Sequence, residues 1–223
     1  MKKVVIALIG LALILQGIAS AATKDWEIKG KQLISQKPPF TIELPSELRL
    51  VHSFFHENPK ESSLTRVYFL IKERNRQIEE MLILQIGDRT NPQAGPITAP
   101  PLKPYTEKKM FLRDKGKKGE LEVDYLIQVM AWNPDAPSLQ PIRKKGVNIP
   151  SHWVLQGQFL FIYQGEHAVY IRYSRDVNTF GLKASEEVKA WEKRSISGNE
   201  KRVVEIFQRI FLNMMDSIQF RNP

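Results

Sequence analysis

The sequence contains no cysteine among its 223 residues. That absence excludes disulfide bonds, thiolate metal sites, a cysteine nucleophile and a lipid-modified cysteine after a leader peptide. The sequence also lacks the glycine-rich loops that hold nucleotide phosphates, and it has no G-x-S-x-G turn for a serine nucleophile. We therefore expect no cofactor, and the sequence favours a protein that is not an enzyme.

A long apolar run occurs only at the N-terminus. Residues 1–3 are Met-Lys-Lys, residues 4–15 carry no charge, and residues 19–21 have the small-x-small pattern of a signal peptidase site. We predict a signal peptide over residues 1–21 and export of the protein to a bacterial periplasm. Secretion beyond the cell and anchoring in the inner membrane by an uncleaved leader are the alternatives.

Basic residues outnumber acidic ones, with a formal net charge of +9. Two clusters stand out, Lys115, Lys117 and Lys118 in the first and Arg143, Lys144 and Lys145 in the second. If the two clusters met in space, they would form a patch suited to an anionic envelope component or an acidic protein. Nucleic acid is not an expected partner, because the predicted export and the lack of a reading motif argue against it. Membrane contact is expected only through the leader or at the surface.

Hydrophobic residues make up 42% and charged residues 26% of the chain, which is ordinary for a globular protein. We predict a polar segment without clear periodicity over residues 22–39, followed by one domain over residues 40–223. Alternating apolar residues predict strands at residues 40–44, 48–55, 64–71, 81–86, 110–113 and 121–132. Between them we predict a loop or short helix at 72–80, a proline-rich surface loop at 90–106, a basic turn at 115–119 and a loop at 133–150.

The C-terminal third carries the clearest patterns. Residues 153–175 predict a β-hairpin that turns at Gln164-Gly165. A short helix at 184–191 and a long amphipathic helix at 199–220 follow, with Ser197 and Glu200 as a capping box. The apolar stripe of the long helix consists of Val203, Phe207, Ile210, Phe211, Met214 and Ile218. We expect it to pack on the sheet, giving an α+β fold in which a mainly antiparallel sheet is flanked by helices as an αβα sandwich.

Two groups of side chains are of the types that bind metal ions or catalyse glycoside hydrolysis. His52 and His56, followed by Glu57, are the tightest histidine cluster, but zinc needs at least three protein ligands and no third is apparent nearby, so we predict no metal site. Glu120, Glu122 and Asp124 would share one strand face. Carboxylates on a single strand do not make a glycosidase cleft, so we predict no catalytic residue among them.

Three segments together resemble the PsbP-like family: the strand Phe-Thr-Ile-Glu-Leu-Pro at 40–45, the hairpin with its Gln-Gly turn, and the helix that ends in Met-Asp-Ser-Ile-Gln-Phe at 215–220. That family includes extrinsic subunits of photosystem II, a nuclear import factor that binds the GTPase Ran, and exported bacterial proteins. The resemblance implies an αβα sandwich and a non-enzymatic binding role, and it transfers no catalytic residue. Leu48 stands where the family often has tryptophan, and residues 72–150 match no part of the family pattern.

Two functions follow as hypotheses. The first is an exported, non-enzymatic protein that binds a protein or an anionic envelope component through its loops and basic residues. The alternative is a small-ligand carrier or an enzyme whose cleft lies beside the proline-rich loop at 90–106.

Overall fold

The computed structural model describes residues 4–5, 25–104, 110–118, 121–151, 153–182 and 198–221. The predicted signal peptide lies outside these residues except for Val4 and Val5, and so do Ser197 and the predicted helix at 184–191. In chain order the strands are β1 Val4–Val5, β2 Trp26–Lys29, β3 Gln32–Gln36, β4 Pro39–Glu43, β5 Arg49–Asn58, β6 Ser63–Arg74, β7 Gln77–Arg89, β8 Ile97–Thr98, β9 Met110–Lys118, β10 Leu121–Ala131, β11 Trp153–Tyr163, β12 His167–Asp176 and β13 Gln219–Phe220. Helical segments are the 3₁₀ turns Pro59–Glu61, Pro137–Leu139 and Val177–Phe180, the one-turn helix Gln140–Arg143, and Gly198–Asp216, here called the C-terminal helix.

The main sheet has seven strands in the order β5-β6-β7-β12-β11-β10-β9, and every neighbouring pair is antiparallel. The prediction of a mainly antiparallel sheet is confirmed, with 54% of the described residues in strands and few helices among them. The predicted hairpin is β11 and β12, and its turn holds Gln164 and Gly165 at positive φ. Strands that follow one another in sequence are therefore mostly neighbours in the sheet, as hairpin connections require.

A second sheet of four strands has the order β13-β4-β3-β2. In this sheet β3, which lies in the predicted polar segment, pairs with β4, which lies at the start of the predicted domain. Leu33 and Ile34 in β3 are buried, and Leu33 lies opposite Ile42 of β4. The sequence pattern missed β2 and β3 because β2 has only four residues, and because Leu33, Ile34 and Ser35 of β3 are buried in succession and do not alternate.

The larger core lies between one face of the main sheet, the four-stranded sheet and the C-terminal helix. As predicted, the helix turns its apolar stripe to the sheet, with Phe207 stacked on Tyr173 and Phe211 tilted against Phe159. Ile210 of the stripe is only partly buried. Gly157 makes the close approach possible, because a Cβ atom there would lie 2.3 Å from the Phe211 ring. We call this side of the main sheet the helix face.

The opposite side, here called the loop face, is covered by two irregular segments. Residues 132–149, which include the one-turn helix, pack Trp132, Leu139 and Ile142 against apolar residues of β5–β7 and β11. The proline-rich segment crosses the other end, where Ile97 packs on Ala168 and Leu102 packs on Leu126 and Leu160. Among the described residues, a helix longer than one turn covers only the helix face, and the loop face carries only the one-turn helix within residues 132–149.

Three local predictions are wrong. Residues 72–80 form no loop or helix: they are the paired ends of β6 and β7 with a two-residue turn between them, in which Asn75 and Arg76 both have positive φ, as a type I′ turn requires. The basic segment from Lys115 belongs to β9 and not to a turn. The C-terminal helix ends at Asp216, because Ser217 donates to the Met214 carbonyl and accepts from the Glu43 amide, and β13 follows.

Candidate functional site

The two basic clusters lie at opposite edges of the main sheet. Lys115, Lys117 and Lys118 belong to β9, the last strand on one side. Lys145 donates to the carbonyl of Val51 in β5, the last strand on the other side. Six strand spacings of about 4.8 Å separate these edges, roughly 29 Å in all. The structure therefore does not bring the six residues together, and each cluster is a separate feature.

Acidic neighbours surround the lysines of β9. Lys115 lies directly opposite Asp124 in the strand register, and Lys117 lies opposite Glu122. These two lysines are on the loop face and are exposed. Lys118 lies on the helix face, where its ammonium donates to the backbone carbonyl of Asp216. Glu122 and Asp124 thus balance basic residues along the strand pair, and Asp124 also accepts from the Leu102 amide at 3.1 Å. Glu120 lies outside the described residues.

The second cluster is tied into its own segment. Arg143 makes an ion pair with Asp135 at 2.6 Å, and Lys145 holds the 132–149 segment against β5. Lys144 is exposed. Because the guanidinium of Arg143 and the ammonium of Lys145 already have partners, this cluster has less charge to offer a ligand than its sequence suggests.

A groove of about 200 Å³ opens on the helix face beside β9, and we call it the edge groove. Its floor is apolar and its rim charged, and the side chains that line it include Val123, Tyr125, Phe161, Met215, Phe220, Lys118 and Asp216. Gly116 lies at its margin, and a Cβ atom there would sit 3.8 Å from the Tyr125 ring. The missing side chain leaves Tyr125 accessible from the edge of the sheet.

Tyr125 contributes a hydroxyl group to the lining of the edge groove. Its hydroxyl donates to Asp114 at 3.4 Å. Partial burial, together with the negative charges of Asp114 and Asp216, raises the pKa of Tyr125 above its ordinary value. The hydroxyl therefore stays protonated near neutral pH and acts as a hydrogen-bond donor, not as a base.

The outer edge of β9 is the second part of the same site. β9 is last in the sheet order, so in the described part of the chain β10 is its only strand partner. Backbone N–H and C=O groups along such an edge can accept a further strand, and the strand side chains decide which one. The edge groove opens above this strand, and Lys115 and Lys117 project below it.

The other edge strand, β5, carries the most exposed large apolar side chains, Phe55 at 50% and Leu50 at 40%. They are five positions apart, about 17 Å along a strand, so they do not form one patch.

His52 and His56 on β5 are four positions apart, about 13 Å, too far to share an ion. In the described residues no three histidine or acidic side chains form a group suited to a metal. Burial and the charge of Lys145 lower the pKa of His52.

A wider concavity of about 400 Å³ lies at the opposite end of the main sheet. Lys72, Arg74 and Arg175 line it together with Glu79 and Asp176. Arg74 and Glu79 form an ion pair at 2.9 Å. The mixture of charges and the absence of an apolar floor in its lining make this concavity a poorer binding surface than the edge groove.

Sequence reasoning missed a buried ionic network on the helix face. Arg66 makes two hydrogen bonds to Asp88, at 2.8 and 3.0 Å, and a third to Asp25 at 2.8 Å. His167, the first residue of β12, has its Nδ1 atom 2.7 Å from Asp88. The four residues are far apart in sequence, so no local spacing signals their contact. The network joins β6, β7 and β12 to Asp25, which precedes β2, and these bonds hold the two sheets together.

Comparison of the chain with models of protein families, with curated proteins and with solved structures finds no match. In the part of the chain that the structure describes, no helix has the length and apolar character needed to cross a membrane. We therefore infer the function from the residues of this chain alone.

Proposed function

We propose that this chain is a non-enzymatic binding protein that takes up an extended, acidic segment of a partner protein along the outer edge of β9. The observation that supports it most is the combination of a strand edge that no other described strand covers, two exposed lysines on one side of it and the apolar edge groove on the other. Main-chain pairing would supply affinity, and side chains on alternate faces would supply specificity.

The charges of β9 favour an acidic partner. Lys115 and Lys117 project on the loop face, where a strand added outside β9 would place every second side chain beside them. Lysine on an edge strand also disfavours pairing with a second copy of the same strand, because like charges would then face each other. A partner strand with acidic residues on that face removes this penalty.

On the helix face, the added strand would place its remaining side chains at the edge groove. The groove floor contains Val123, Phe161 and Phe220, which suits one apolar side chain of the partner. The alternation expected in the partner is therefore acidic on one face and apolar on the other.

The test is capture of binding partners from cell-envelope extract by the purified protein, followed by zero-length carbodiimide coupling, which joins lysine amines to carboxylates. We expect coupled peptides that contain Lys115 or Lys117 and an acidic segment of one partner. The double variant Lys115→Glu/Lys117→Glu should lower the affinity for that partner at least tenfold, about 1.4 kcal/mol. Gly116→Leu should weaken it as well, because the new side chain would close the groove.

Lys144→Glu is the matched control, since it reverses an exposed charge at the opposite edge of the sheet. Equal capture by wild type and the double variant would contradict the proposal, as would coupling that occurs mainly at Lys144. If the double variant still captured the partner and Lys144→Glu did not, the binding site would lie at the second basic cluster.

We further propose export to the periplasm, which is supported by the N-terminal residues 1–21. Mass spectrometry of the protein recovered from a periplasmic fraction should give a chain that begins after Ala21. Recovery of the full-length mass in membranes would instead indicate an uncleaved anchor.

Membership of the PsbP-like group, with its αβα sandwich, remains our proposal for the fold, supported by the antiparallel sheet and the helix packed on β11. An experimental structure that placed no helix over the loop face would contradict the sandwich.

A further inference from the structure

The loop face of the main sheet changes from apolar to polar and back along three adjacent strands. The residues of β11 on this face are Val154, Gln156, Gln158 and Leu160. Val154 belongs to the apolar cluster under residues 132–149, and Leu160 belongs to the cluster under the proline-rich segment. Polar residues occupy the corresponding middle positions of the neighbouring strands, Gln128 in β10 and Arg172 and Ser174 in β12. A polar strip thus crosses the sheet between its two covering segments.

The glutamines and the serine of this strip are buried and bonded to each other. Gln156 accepts from Gln128 at 2.9 Å and from Gln158 at 2.6 Å, and it donates to Ser174 at 3.1 Å. Tyr170 donates its hydroxyl to Gln158. These residues have exposures of 1 to 5% apart from Tyr170, which is partly buried. A network with this many mutual bonds holds its amides in fixed directions.

Arg172 lies beside this network, and its Nε atom has no hydrogen-bond acceptor among the described residues. It lies directly opposite Gln158 in the strand register, and its guanidinium is 5.0 Å from the centre of the Tyr170 ring. This Nε atom is fully buried, although the side chain as a whole is only partly buried. Leaving a buried charged donor unpaired is costly, and proteins normally pair such groups with an anion.

We propose that Arg172 and the polar strip form a binding site for a small oxyanion, the carboxylate or phosphate group of a small molecule. The planar guanidinium offers two parallel N–H donors, a geometry that matches a carboxylate or phosphate. The guanidinium of Arg172 makes a cation–π contact with the Tyr170 ring. The site lies beside the proline-rich segment, where Ala99 and Tyr170 pack on the same apolar cluster. It is separate from the edge groove, which opens on the opposite face of the sheet.

The test is titration of the purified protein with inorganic phosphate and, separately, with succinate, at constant ionic strength set by sodium chloride. Side-chain amide signals in proton–nitrogen correlation spectra report directly on Gln128, Gln156 and Gln158. We expect saturable shifts of these signals with at least one of the two anions. Saturation by phosphate alone identifies a phosphate site, and saturation by succinate alone identifies a carboxylate site.

Arg172→Gln should lower the affinity for that anion at least tenfold. Arg172→Lys should lower it less, because it keeps the charge and loses the paired donors. Lys60→Gln, which removes one exposed charge in the 3₁₀ turn after β5, is the matched control and should bind as wild type does. If Arg172→Gln fails to fold, the comparison of Arg172→Lys with Lys60→Gln decides the question. Shifts that do not saturate, or that are equal in all variants, would overturn the proposal.

Discussion

At the scale of single residues, Glu80 shows how surroundings set the behaviour of a buried carboxylate. It is 2% exposed, and its Oε2 atom accepts from Ser46 at 2.7 Å and from Tyr173 at 2.6 Å. Burial by itself raises the pKa of Glu80, but the two hydrogen bonds and the charges of Arg175 and Lys72 outweigh burial and leave the pKa below its usual value. The side chain is therefore ionised in the folded protein at neutral pH.

Glu80→Gln should destabilise the protein at pH 7 by about 2 kcal/mol, the scale of hydrogen bonds to a charged group. Because the folded-state pKa is lowered, the stabilisation by Glu80 is present above the pKa of an unfolded glutamate. It disappears as pH falls through the folded-state value. Urea unfolding at a series of pH values should thus show wild type and variant converging below about pH 4. The exposed Glu57→Gln should stay within about 0.5 kcal/mol of wild type, and a gap for Glu80→Gln that widened in acid would contradict this account.

Single residues were also where the sequence was least informative. Neither Glu80 nor Arg172 belongs to any local motif, because the groups around them come from other strands. A sequence shows that a residue is ionisable, but the partner that changes its pKa becomes visible only when distant strands are aligned.

At the scale of elements, the position of the C-terminal helix on the sheet depends on one glycine. The stripe spacing predicts the helix and its buried face, and both are observed, with Phe207, Phe211 and Met214 buried. The position of the helix along the sheet was not predictable from the stripe. It follows from Gly157, whose missing side chain leaves the space that the Phe211 ring fills.

Gly157→Ala should lower the free energy of unfolding by about 1 to 3 kcal/mol, the usual cost of overpacking a core. Gly116→Ala is the matched control, because its Cβ atom would meet only the Tyr125 ring at an ordinary 3.8 Å. Denaturant unfolding of both variants gives the comparison. Adding Phe211→Leu should cost less in the Gly157→Ala background than in wild type, because the smaller side chain relieves the clash. Equal stabilities of the two alanine variants would show that the helix can shift without cost.

At the scale of the whole molecule, the ionic network of Arg66 joins the two sheets. Arg66 and Asp88 lie in the main sheet, and Asp25 precedes the first strand of the four-stranded sheet. Arg66 also donates to the backbone carbonyl of Lys37, between β3 and β4. Its guanidinium is therefore shared between the two layers, in addition to the apolar core between them.

Arg66→Leu should destabilise the protein by about 3 kcal/mol or more, since it leaves Asp88 buried without its bidentate partner. Hydrogen exchange should rise first in β2 and β3, because those strands lose their ionic contact with the main sheet. Arg49→Leu, which removes an exposed ion pair with Glu73, is the control and should cost less than about 1 kcal/mol. Unchanged exchange in residues 26–36 of Arg66→Leu would exclude a joining role for the network.

By itself the sequence determined the kinds of elements: the strands of alternating residues, the hairpin at 153–175, the amphipathic helix and the lack of any thiol chemistry. These depend on spacings of two to four residues, which one segment contains in full. Only the tertiary structure decided that the two basic clusters lie at opposite edges, that Arg172 lies beside the glutamines, and that residues 26–36 are strands. Strand order depends on pairing between segments distant in sequence, and local periodicity does not specify which strands become neighbours.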